Sequence, residues 1–297
     1  MTGASNSLMT IERGAGMAAV LVEVLPYIQQ FRGKIVVVKV GGSALVDPVA
    51  ADAFAADVAL MHMVGIKPVV VHGGGPQITA MMQRLGKTAT FKAGHRVTDS
   101  ESLDITRMVL VGNINRDIVT RVNRHGPIAL GVSGEDADLL TAKERDPDLG
   151  FVGDVVAVNP DLINRLLAED LVPVVATVGT SGSGQAYNIN ADSGAAAIAA
   201  ELGALKLVYL TDVEGLHRDP EDPSSLISQI SSRELKAMLD SGIASAGMIP
   251  KLEGCLEAIE SGVPSTHILG SSTPHAVLIE LFTDAGIGTM ASRGVRP

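Results

Sequence analysis

The sequence predicts an α/β protein whose mainly parallel sheet is covered by helices on both faces. Short, almost wholly apolar strands alternate with helical segments, as expected for strands buried on both sides. The first two strands are predicted at 35–40 and 68–72, and a glycine-rich turn follows each of them. The 297 residues are 46% apolar but only 3% aromatic, so small aliphatic side chains must form the core. This length allows one large domain or two lobes.

The composition restricts the partners and the compartment. Acidic side chains outnumber basic ones by 33 to 23, a formal charge of -10, whereas binding to nucleic acid or anionic membranes requires a basic surface. The single cysteine, Cys255, cannot form an internal disulfide, which fits a reducing compartment. The longest uncharged stretches, 171–191 and 261–279, are interrupted by Gly, Pro, Ser or Asn. We therefore expect a cytoplasmic protein with no nucleic-acid partner and no membrane partner.

The first 32 residues form a separate N-terminal region with a pattern of their own. Residues 1–16 are small and polar, and we expect a mobile tail there. Over 17–31, apolar residues recur at helical spacing, although Pro26 should bend that helix. Apolar side chains also lie on its other faces, so the helix must be covered by the body of the protein or by another subunit.

Strands and helices then alternate up to the middle of the chain. The predicted strands are 35–40, 68–72, 128–132 and 172–178, and the predicted hairpins are 88–98 and 151–158. The predicted helices are 48–63, 76–85, 98–126 and one that starts at 160. The Gly- and Ser-rich stretch 179–184 is the predicted boundary between a lobe over 33–178 and a lobe over 179–297.

The second half continues the alternation with more turns. An alanine-rich helix ends near 202, and further helices start at Ser231, Pro250 and Pro274. Strands are predicted at 205–210 and 266–269. In such a sheet the turns after parallel strands meet at one edge, where ligands of α/β proteins bind.

Lys39 is the first residue that suggests chemistry. It interrupts an otherwise apolar strand, Ile35-Val36-Val37-Val38-Lys39-Val40, and a buried ammonium group is costly unless an anion meets it. Gly41 and Gly42 follow at once and allow backbone N–H groups to approach a ligand. The alternative is a lysine that reaches solvent at the end of the strand, but we favour an anion site.

The segment His72-Gly73-Gly74-Gly75-Pro76 predicts a second anion-binding element. Three glycines between a buried strand and a helix leave bare amides at the sheet edge, and the helix N-terminus adds positive potential. An ordinary turn would need only one glycine. We interpret His72 as a support of this turn rather than a proton carrier.

Other candidates are polar residues near turns. Arg96, at the end of a predicted hairpin, suits bidentate capture of a carboxylate, although most arginines simply lie on the surface. Asn188 and Asp192 would reach one pocket from the start of the alanine-rich helix, unless Asp192 only caps that helix. Lys251 stands just inside another helix start, where a cation is unfavourable unless negative charge lies in front of it.

Two common kinds of site are absent from the sequence. It contains no G-x-x-x-x-G-K-[ST] segment, so it is not a P-loop enzyme. Its seven histidines show no metal-binding spacing, and no metal site is predicted. The remaining candidates indicate phosphoryl transfer to an anion.

Six segments, taken in order, resemble the amino acid kinase family. They are Val38-Lys39-Val40-Gly41-Gly42, His72-Gly73-Gly74-Gly75-Pro76, Gly94-His95-Arg96-Val97-Thr98, Asn188-Ile189-Asn190-Ala191-Asp192, Thr211-Asp212-Val213-Glu214-Gly215 and Gly247-Met248-Ile249-Pro250-Lys251. The resemblance runs from about residue 17 to the C-terminus, and the order and spacing of the segments are more specific than any one of them. Within the family they are most similar to members that phosphorylate N-acetyl-L-glutamate.

The resemblance implies a fold and a reaction. The fold would be a three-layer αβα sandwich with an acetylglutamate-binding lobe first and a nucleotide-binding lobe second. The reaction would be ATP-dependent phosphorylation of the γ-carboxylate of N-acetyl-L-glutamate, a step of arginine biosynthesis, with Mg²⁺ carried by the nucleotide. Lys39 and Lys251 would stabilise the transferring phosphoryl group, and Asp192 would organise the two lysines.

The resemblance also implies binding residues. Those for acetylglutamate would be Gly74, Gly75, Arg96 and Asn188, with the arginine on the α-carboxylate. Those for ATP would be Gly41, Gly42, Thr211, Asp212 and Gly215. The helix over 17–31 is similar to an extension that links dimers into a hexameric ring in arginine-inhibited members. The residues that lie where such members bind arginine are His267, Glu280 and Gly288.

Two alternatives stay open. Another kinase of the same fold would act on aspartate, glutamate, carbamate or UMP. A non-enzymatic sensor would bind arginine or nucleotide and regulate a partner, but the presence of both lysines and Asp192 argues against it.

Overall fold

The computed structural model describes residues 2–92, 94–219, 222–242 and 247–294. The strands are β1 (Ile35–Val40), β2 (Lys67–His72), β3 (Phe91–Lys92), β4 (His95–Arg96), β5 (Ala129–Ser133), β6 (Leu140–Glu144), β7 (Val152–Val158), β8 (Val172–Ala176), β9 (Val178–Thr180), β10 (Ala186–Ile189), β11 (Lys206–Thr211), β12 (Gln229–Ser231), β13 (Ser265–Gly270) and β14 (Thr289–Ser292). The helices are α1 (Thr2–Glu23), α2 (Leu25–Phe31), α3 (Pro48–Met63), α4 (Gly75–Arg84), α5 (Ser100–Arg107), α6 (Asn115–Asn123), α7 (Asp161–Ala168), α8 (Ala191–Glu201), α9 (Ser232–Asp240), α10 (Ile249–Glu260) and α11 (Ala276–Phe282).

Eight strands form the central sheet in the order β12-β14-β13-β11-β1-β2-β8-β5. Neighbouring strands run parallel except for β13 and β14, which are antiparallel. In the middle of the sheet Lys39 of β1 lies between Val71 of β2 and Tyr209 of β11. The carboxyl ends of β1, β2, β8 and β11 therefore meet at one edge.

Side chains of β1 alternate between two apolar cores, as the period of a strand requires. Val36, Val38 and Val40 pack on the face covered by α3, α6 and α11, and Val37 packs on the face covered by α8 and α10. Lys39 has the parity of Val37 and so points towards α8. The predicted three-layer αβα arrangement with a mainly parallel sheet is confirmed.

A small closed sheet of β6, β7, β9 and β10 stands beside the main sheet. The predicted hairpin at 151–158 is instead the single strand β7, which pairs antiparallel with β6. The predicted strand 172–178 divides at Thr177, because β8 stays in the main sheet while β9 joins the small one. The stretch 179–184 lies at the turn between β9 and β10, and the lobe boundary there stays a prediction.

The N-terminal residues differ from expectation. A tail over 1–16 was expected, but α1 begins at Thr2, since this stretch contains no proline to stop a helix. The expected bend is confirmed, because α1 ends at Glu23 and Pro26 lies in the first turn of α2. Met17, Val20 and Leu21 are exposed. No helix of the described residues is long and apolar enough to cross a membrane.

The long helix predicted over 98–126 is observed with an irregular centre. Asp99 caps it by accepting a hydrogen bond from the N–H of Ser102 (2.8 Å), so the helix starts two residues later than predicted. The segment Met108–Ile114 is a π-helix between α5 and α6. Such expanded turns occur often at functional sites. Here it places Leu110 and Ile114 under the glycine turn that follows β2.

Candidate active site

A cavity of about 230 Å³ opens at the carboxyl edge of the central sheet. The predicted site residues that line it are Lys39, Gly42, Gly74, Gly75, Arg96, Asn188 and Asp192. These residues come from four separate segments, so the fold brings together what the sequence keeps up to about 150 residues apart.

Asp192 lies between two lysines at the wall of this cavity. Its Oδ1 is 2.6 Å from Nζ of Lys39, and its Oδ2 is 3.4 Å from Nζ of Lys251. All three side chains are buried or nearly so. Lys251 also donates to the carbonyl of Gly247 (3.2 Å). The anion that the buried lysine required is therefore Asp192.

The charge balance of this trio favours an anionic ligand. Burial alone would raise the pKa of Asp192, but the ammonium groups of Lys39 and Lys251 outweigh it and hold that pKa below its ordinary value. One carboxylate thus faces two ammonium groups, which leaves an excess of one positive charge. Negative charge that enters the cavity is stabilised by this excess.

The start of α8 fixes the position of Asp192. Asn190 is the N-cap and accepts hydrogen bonds from the N–H groups of Asp192 (2.8 Å) and Ser193 (3.3 Å). Asp192 does not cap the helix, so its carboxylate is available to the lysines. The hydroxyl of Tyr209 donates to the backbone carbonyl of Asp192 (3.1 Å), and a Cβ on Gly254 of α10 would overlap with that hydroxyl.

Tyr209 and Gly254 also help to position Asp192, and no feature of the sequence predicts this role. Their signal is weak, because tyrosines in β-strands and glycines in helices are common and most of them serve packing alone. Gly254 makes room for the side chain of Tyr209, and this is visible only in the packing of β11 between α8 and α10.

The glycine turn after β2 is built for close approach. A Cβ on Gly73 would lie 3.1 Å from Cβ of Ala191, and a Cβ on Gly74 would lie 2.9 Å from Cδ2 of Leu110 and overlap with Ile114. Gly75 has no atom within 4 Å of its Cβ position. The first two glycines therefore serve packing, whereas the third keeps the cavity side open.

His72 supports this turn, as predicted. The amide of Asn115 donates to its Nε2 (3.1 Å), so Nδ1 carries the proton and donates to the carbonyl of Gly73 (3.2 Å). Complete burial lowers the pKa of His72 to about 4. The ring is therefore neutral at physiological pH and supports the turn through these two hydrogen bonds.

Arg96 presents a buried cation to the cavity. Its guanidinium donates to the carbonyl of Gly75 (3.0 Å) and the hydroxyl of Thr79 (2.8 Å), and it lies over the ring of Phe91. Burial lowers the pKa of Arg96, and it forms no ion pair with any residue that the structure describes. A buried guanidinium without a carboxylate is costly, and a ligand carboxylate would compensate it.

Asn188 completes the acceptor side of the cavity. It lies in β10 and its amide donates to the hydroxyl of Thr98 (3.4 Å). The amide oxygen of Asn188 makes no hydrogen bond to the described residues and is available to a donor on a ligand.

The residues predicted to hold nucleotide lie at the same sheet edge, but only Gly42 lines the cavity. The N–H of Gly41 donates to the carbonyl of Leu210 (2.9 Å), and the buried Thr211 donates its hydroxyl to Asp212 (2.8 Å). A Cβ on Gly215 would lie 2.7 Å from Oγ1 of Thr289, so packing alone explains that glycine. The nucleotide roles of these residues stay predictions.

The three residues predicted to bind arginine form a second cluster on the other face of the central sheet. His267 accepts from Lys206 (2.8 Å) at Nε2 and donates from Nδ1 to Glu280 (2.7 Å). Oε2 of Glu280 accepts from the N–H of Ile287 (3.4 Å). Gly288 packs against the carbonyl of Ile268, where a side chain would overlap with it. Their allosteric role stays a prediction.

No group of three or more His, Cys, Asp or Glu side chains is placed to hold a metal ion, as far as the described ranges extend. Cys255 is buried, and burial raises the pKa of its thiol to about 12.

Residues 34–270 match the sequence model of the amino acid kinase family. The chain is 49% identical over 288 residues to the acetylglutamate kinase of Pelotomaculum thermopropionicum, a match that covers 93% of this chain and 98% of that one.

A solved structure is similar over most of the chain. It is the N-acetylglutamate synthase of Neisseria gonorrhoeae complexed with coenzyme A and N-acetyl-glutamate, with a TM-score of 0.82 and 26% identity. The match covers 94% of this chain but only 64% of that one. The complex of the same synthase with coenzyme A and L-arginine gives a TM-score of 0.77 at 27% identity and covers 93% of this chain and 65% of that one. The region that matches the family model contains Lys39, Asp192 and Lys251, and the chain belongs to the amino acid kinase family.

Proposed function

We propose that this chain transfers the γ-phosphoryl group of ATP to the γ-carboxylate of N-acetyl-L-glutamate and forms N-acetyl-L-glutamyl 5-phosphate, a step of arginine biosynthesis. The observation that carries the proposal is the trio Lys39–Asp192–Lys251 at the wall of a cavity that also holds the buried Arg96. The acetylglutamate kinase that is 49% identical over nearly the whole chain supports the choice of acceptor.

The reaction needs no general base, which agrees with the residues around the cavity. A γ-carboxylate with a pKa of about 4.3 is already ionised at neutral pH and attacks phosphorus directly. The enzyme must then align the two reactants and neutralise the charge on the phosphoryl oxygens. Lys39 and Lys251 supply that positive charge, and Asp192 holds both ammonium groups in place.

The acceptor would lie with its α-carboxylate on Arg96. The guanidinium already uses one nitrogen on Gly75 and Thr79, and this fixes its plane beside the cavity. Asn188 and the amides of Gly74 and Gly75 would hold the remaining polar groups of acetylglutamate. This assignment leaves the γ-carboxylate free to face the two lysines.

ATP would lie on the turn after β1 and near the end of β11. Gly42 begins a 3₁₀ turn (Ser43–Leu45), and the first amides of such a turn have no partner within it, so they suit phosphate oxygens. Thr211, Asp212 and Gly215 would contact the rest of the nucleotide. Mg²⁺, carried by the nucleotide, adds positive charge to its phosphates.

A substrate panel tests this function. The purified chain is incubated with Mg-ATP and acetylglutamate, glutamate, aspartate or carbamate, and acyl phosphate is trapped as the hydroxamate. We expect product and ADP release with acetylglutamate above all others. Preference for another acceptor would assign a different kinase activity, and ATP binding without acyl phosphate from any acceptor would contradict the proposal.

We also propose that L-arginine inhibits this chain at the cluster of His267, Glu280 and Gly288. Helix α2 reaches this region, because Tyr27 donates to Asp284 (2.7 Å) and Phe31 packs edge-on against Phe282. A structural relative is a synthase complexed with L-arginine, which supports the proposal.

The exposed apolar side chains of α1 would link dimers into a hexamer, as a trimer of dimers. Deletion of residues 1–32 should reduce the assembly to dimers and weaken arginine inhibition, as measured by light scattering and by inhibition curves. Because Phe31 is buried, Leu21→Glu serves as a companion variant that changes only an exposed residue of α1. Hexamers that persist in both variants would contradict this arrangement.

A further inference from the structure

Gln77 joins the two glycine turns of the candidate active site. It is the third residue of α4, just after the turn that follows β2, and its Nε2 donates to the carbonyl of Gly42 (2.8 Å) in the turn that follows β1. We propose that Gln77 is a positioning residue that holds the turn at 41–43 in the orientation required for phosphoryl transfer. This inference rests on the proposed kinase function and extends it to a residue that contacts neither proposed substrate.

The two turns touch through bare backbone at this point. A Cβ on Gly42 would lie 2.8 Å from Oε1 of Gln77, 3.0 Å from Cα of Gly74 and 3.0 Å from Cδ of Pro76. Nothing flexible separates the turns, so the orientation of the Gly42 carbonyl also fixes the peptide plane that it shares with the next N–H. The Gly42 carbonyl also accepts from the N–H of Leu45 (3.2 Å) within its own turn, and Gln77 is the side chain that ties it to the other turn.

Only one of the two polar atoms in the Gln77 side chain has a hydrogen-bond partner among the described residues. Its Oε1 is buried and accepts no hydrogen bond from the residues that the structure describes. A buried amide oxygen without a donor is unfavourable, and most such groups in folded proteins are paired. Stability alone would therefore favour an apolar residue at this position. The donor function of Nε2 towards Gly42 is the advantage that a glutamine has here.

Helix α4 does not need Gln77 in order to form or to pack. Gly74 caps the helix, Pro76 lies in its first turn, and the buried side chains of Ile78 and Met82 anchor it in the core. A variant of Gln77 should therefore keep the helix and lose only the link to Gly42.

The experiment compares Gln77→Ala, Gln77→Met and Gln77→Glu with wild type. We expect kcat to fall about 10- to 100-fold, because a displacement of about 1 Å at reacting groups has this effect. The KM for acetylglutamate should change less than about twofold, since Arg96 and Asn188 are untouched. Gln77→Glu should lose most, because a carboxylate cannot donate to the Gly42 carbonyl and repels phosphate.

Gln83→Ala is the matched control, because Gln83 lies on the same helix and is exposed. It should leave kcat and KM within about twofold of wild type. Thermal unfolding identifies variants that fail to fold. If all three Gln77 variants unfold while the control does not, Gln77 is a structural residue and the inference is overturned. A kcat within about twofold of wild type in folded variants, or a change confined to KM for acetylglutamate, also overturns it.

A double variant separates action through Gly42 from an independent effect. If Gln77 acts through that residue, then Gln77→Ala combined with Gly42→Ala should lose no more kcat than Gly42→Ala alone. Additive losses would overturn the inference. Wild type is assayed with the four acceptors in parallel, so that a failure of the positioning role can be told apart from a failure of the proposed function. If wild type uses another acceptor, the same variants are measured with it, and if it makes no acyl phosphate, the positioning role falls with the function.

Discussion

Two buried charge clusters lie on opposite faces of the central sheet, and they differ in charge and in access. Asp192 with Lys39 and Lys251 lies at the carboxyl edge and faces a cavity. Glu280 with His267 and Lys206 lies on the other face, where His267 is almost fully buried and bridges a carboxylate and an ammonium group.

The pKa shifts in the two clusters reflect this difference in charge. Burial and the nearby Lys206 lower the pKa of His267 although Glu280 opposes them, so the histidine is neutral and the second cluster balances one ammonium group against one carboxylate. The first cluster has two ammonium groups for one carboxylate. We call the second cluster closed, because it is buried and must be neutral overall. We call the first cluster open, because it faces a cavity and can keep an excess of charge that a ligand neutralises.

The largest effects are expected at the open cluster. Lys39→Ala and Lys251→Ala should each lower kcat about 100- to 1,000-fold, because each removes a donor aimed at the charge of the transition state. Steady-state kinetics on folded variants would measure this loss, with a smaller change in ATP affinity.

Lys67→Ala is the matched control for these variants, because Lys67 is exposed at the start of β2. Near-native turnover of either Lys39→Ala or Lys251→Ala would remove that lysine from the mechanism. The excess of positive charge would then have no catalytic meaning.

A smaller effect is expected at Arg96, the other buried cation of the cavity. Arg96→Ala should raise the KM for acetylglutamate about 10- to 100-fold and change kcat less, because charged hydrogen bonds to the acceptor are lost. Arg84→Ala, at the exposed end of α4, is the control. An unchanged KM would show that the guanidinium serves only the packing of β4 on α4.

The closed cluster provides a third test. Glu280→Gln keeps the shape of the side chain but removes its charge, and it should raise the arginine concentration for half-inhibition about tenfold. Inhibition curves at fixed substrate concentration would measure this shift. If arginine inhibits the variant as strongly as wild type, the cluster is structural and the arginine site lies elsewhere.

Asp57 extends the comparison to a buried carboxylate with one partly exposed partner. Its Oδ1 is 2.5 Å from Nδ1 of His275, and burial raises its pKa to about 6 although His275 and the N–H of Val277 act in the opposite direction. The ordinary pKa is 3.8, so the folded state binds more protons than the unfolded state between these values. The stabilisation from this group is therefore present at low pH and lost as the pH rises through about 6.

The smallest expected effect follows from this shift. Between about pH 5.5 and pH 7.5, wild type should lose about 1 kcal/mol of unfolding free energy relative to Asp57→Asn, as measured by urea unfolding. Equal pH dependence of the two proteins would contradict the raised pKa of Asp57.

Much of the fold could be predicted because its signals are local. Apolar strands, glycine turns and the helix start at Ser231 each occupy a few consecutive residues, and the structure contains them all. Lys39 stood out for a similar reason, since a charge inside an apolar strand requires a partner.

The missed features depend on contacts between distant segments. Strand β6 is short and is defined by its pairing with β7, and the roles of Tyr209 and Gln77 appear only when β11 meets α8 and α4 meets the turn after β1. No property of the sequence near these residues distinguishes them. For the same reason the expected hairpin at 151–158 was wrong. The expected tail over 1–16 was wrong for a local reason, because no proline in that stretch stops a helix.

The open space at Gly75 has a consequence for protein engineering. Positions 42, 73 and 74 are locked by neighbouring backbone and side chains, so almost any replacement there would disturb both turns. Gly75 alone among these glycines has room for a methyl group beside the pocket. A library intended to admit shorter acids should therefore begin with alanine and serine at position 75, where the pocket can be narrowed without rebuilding its walls.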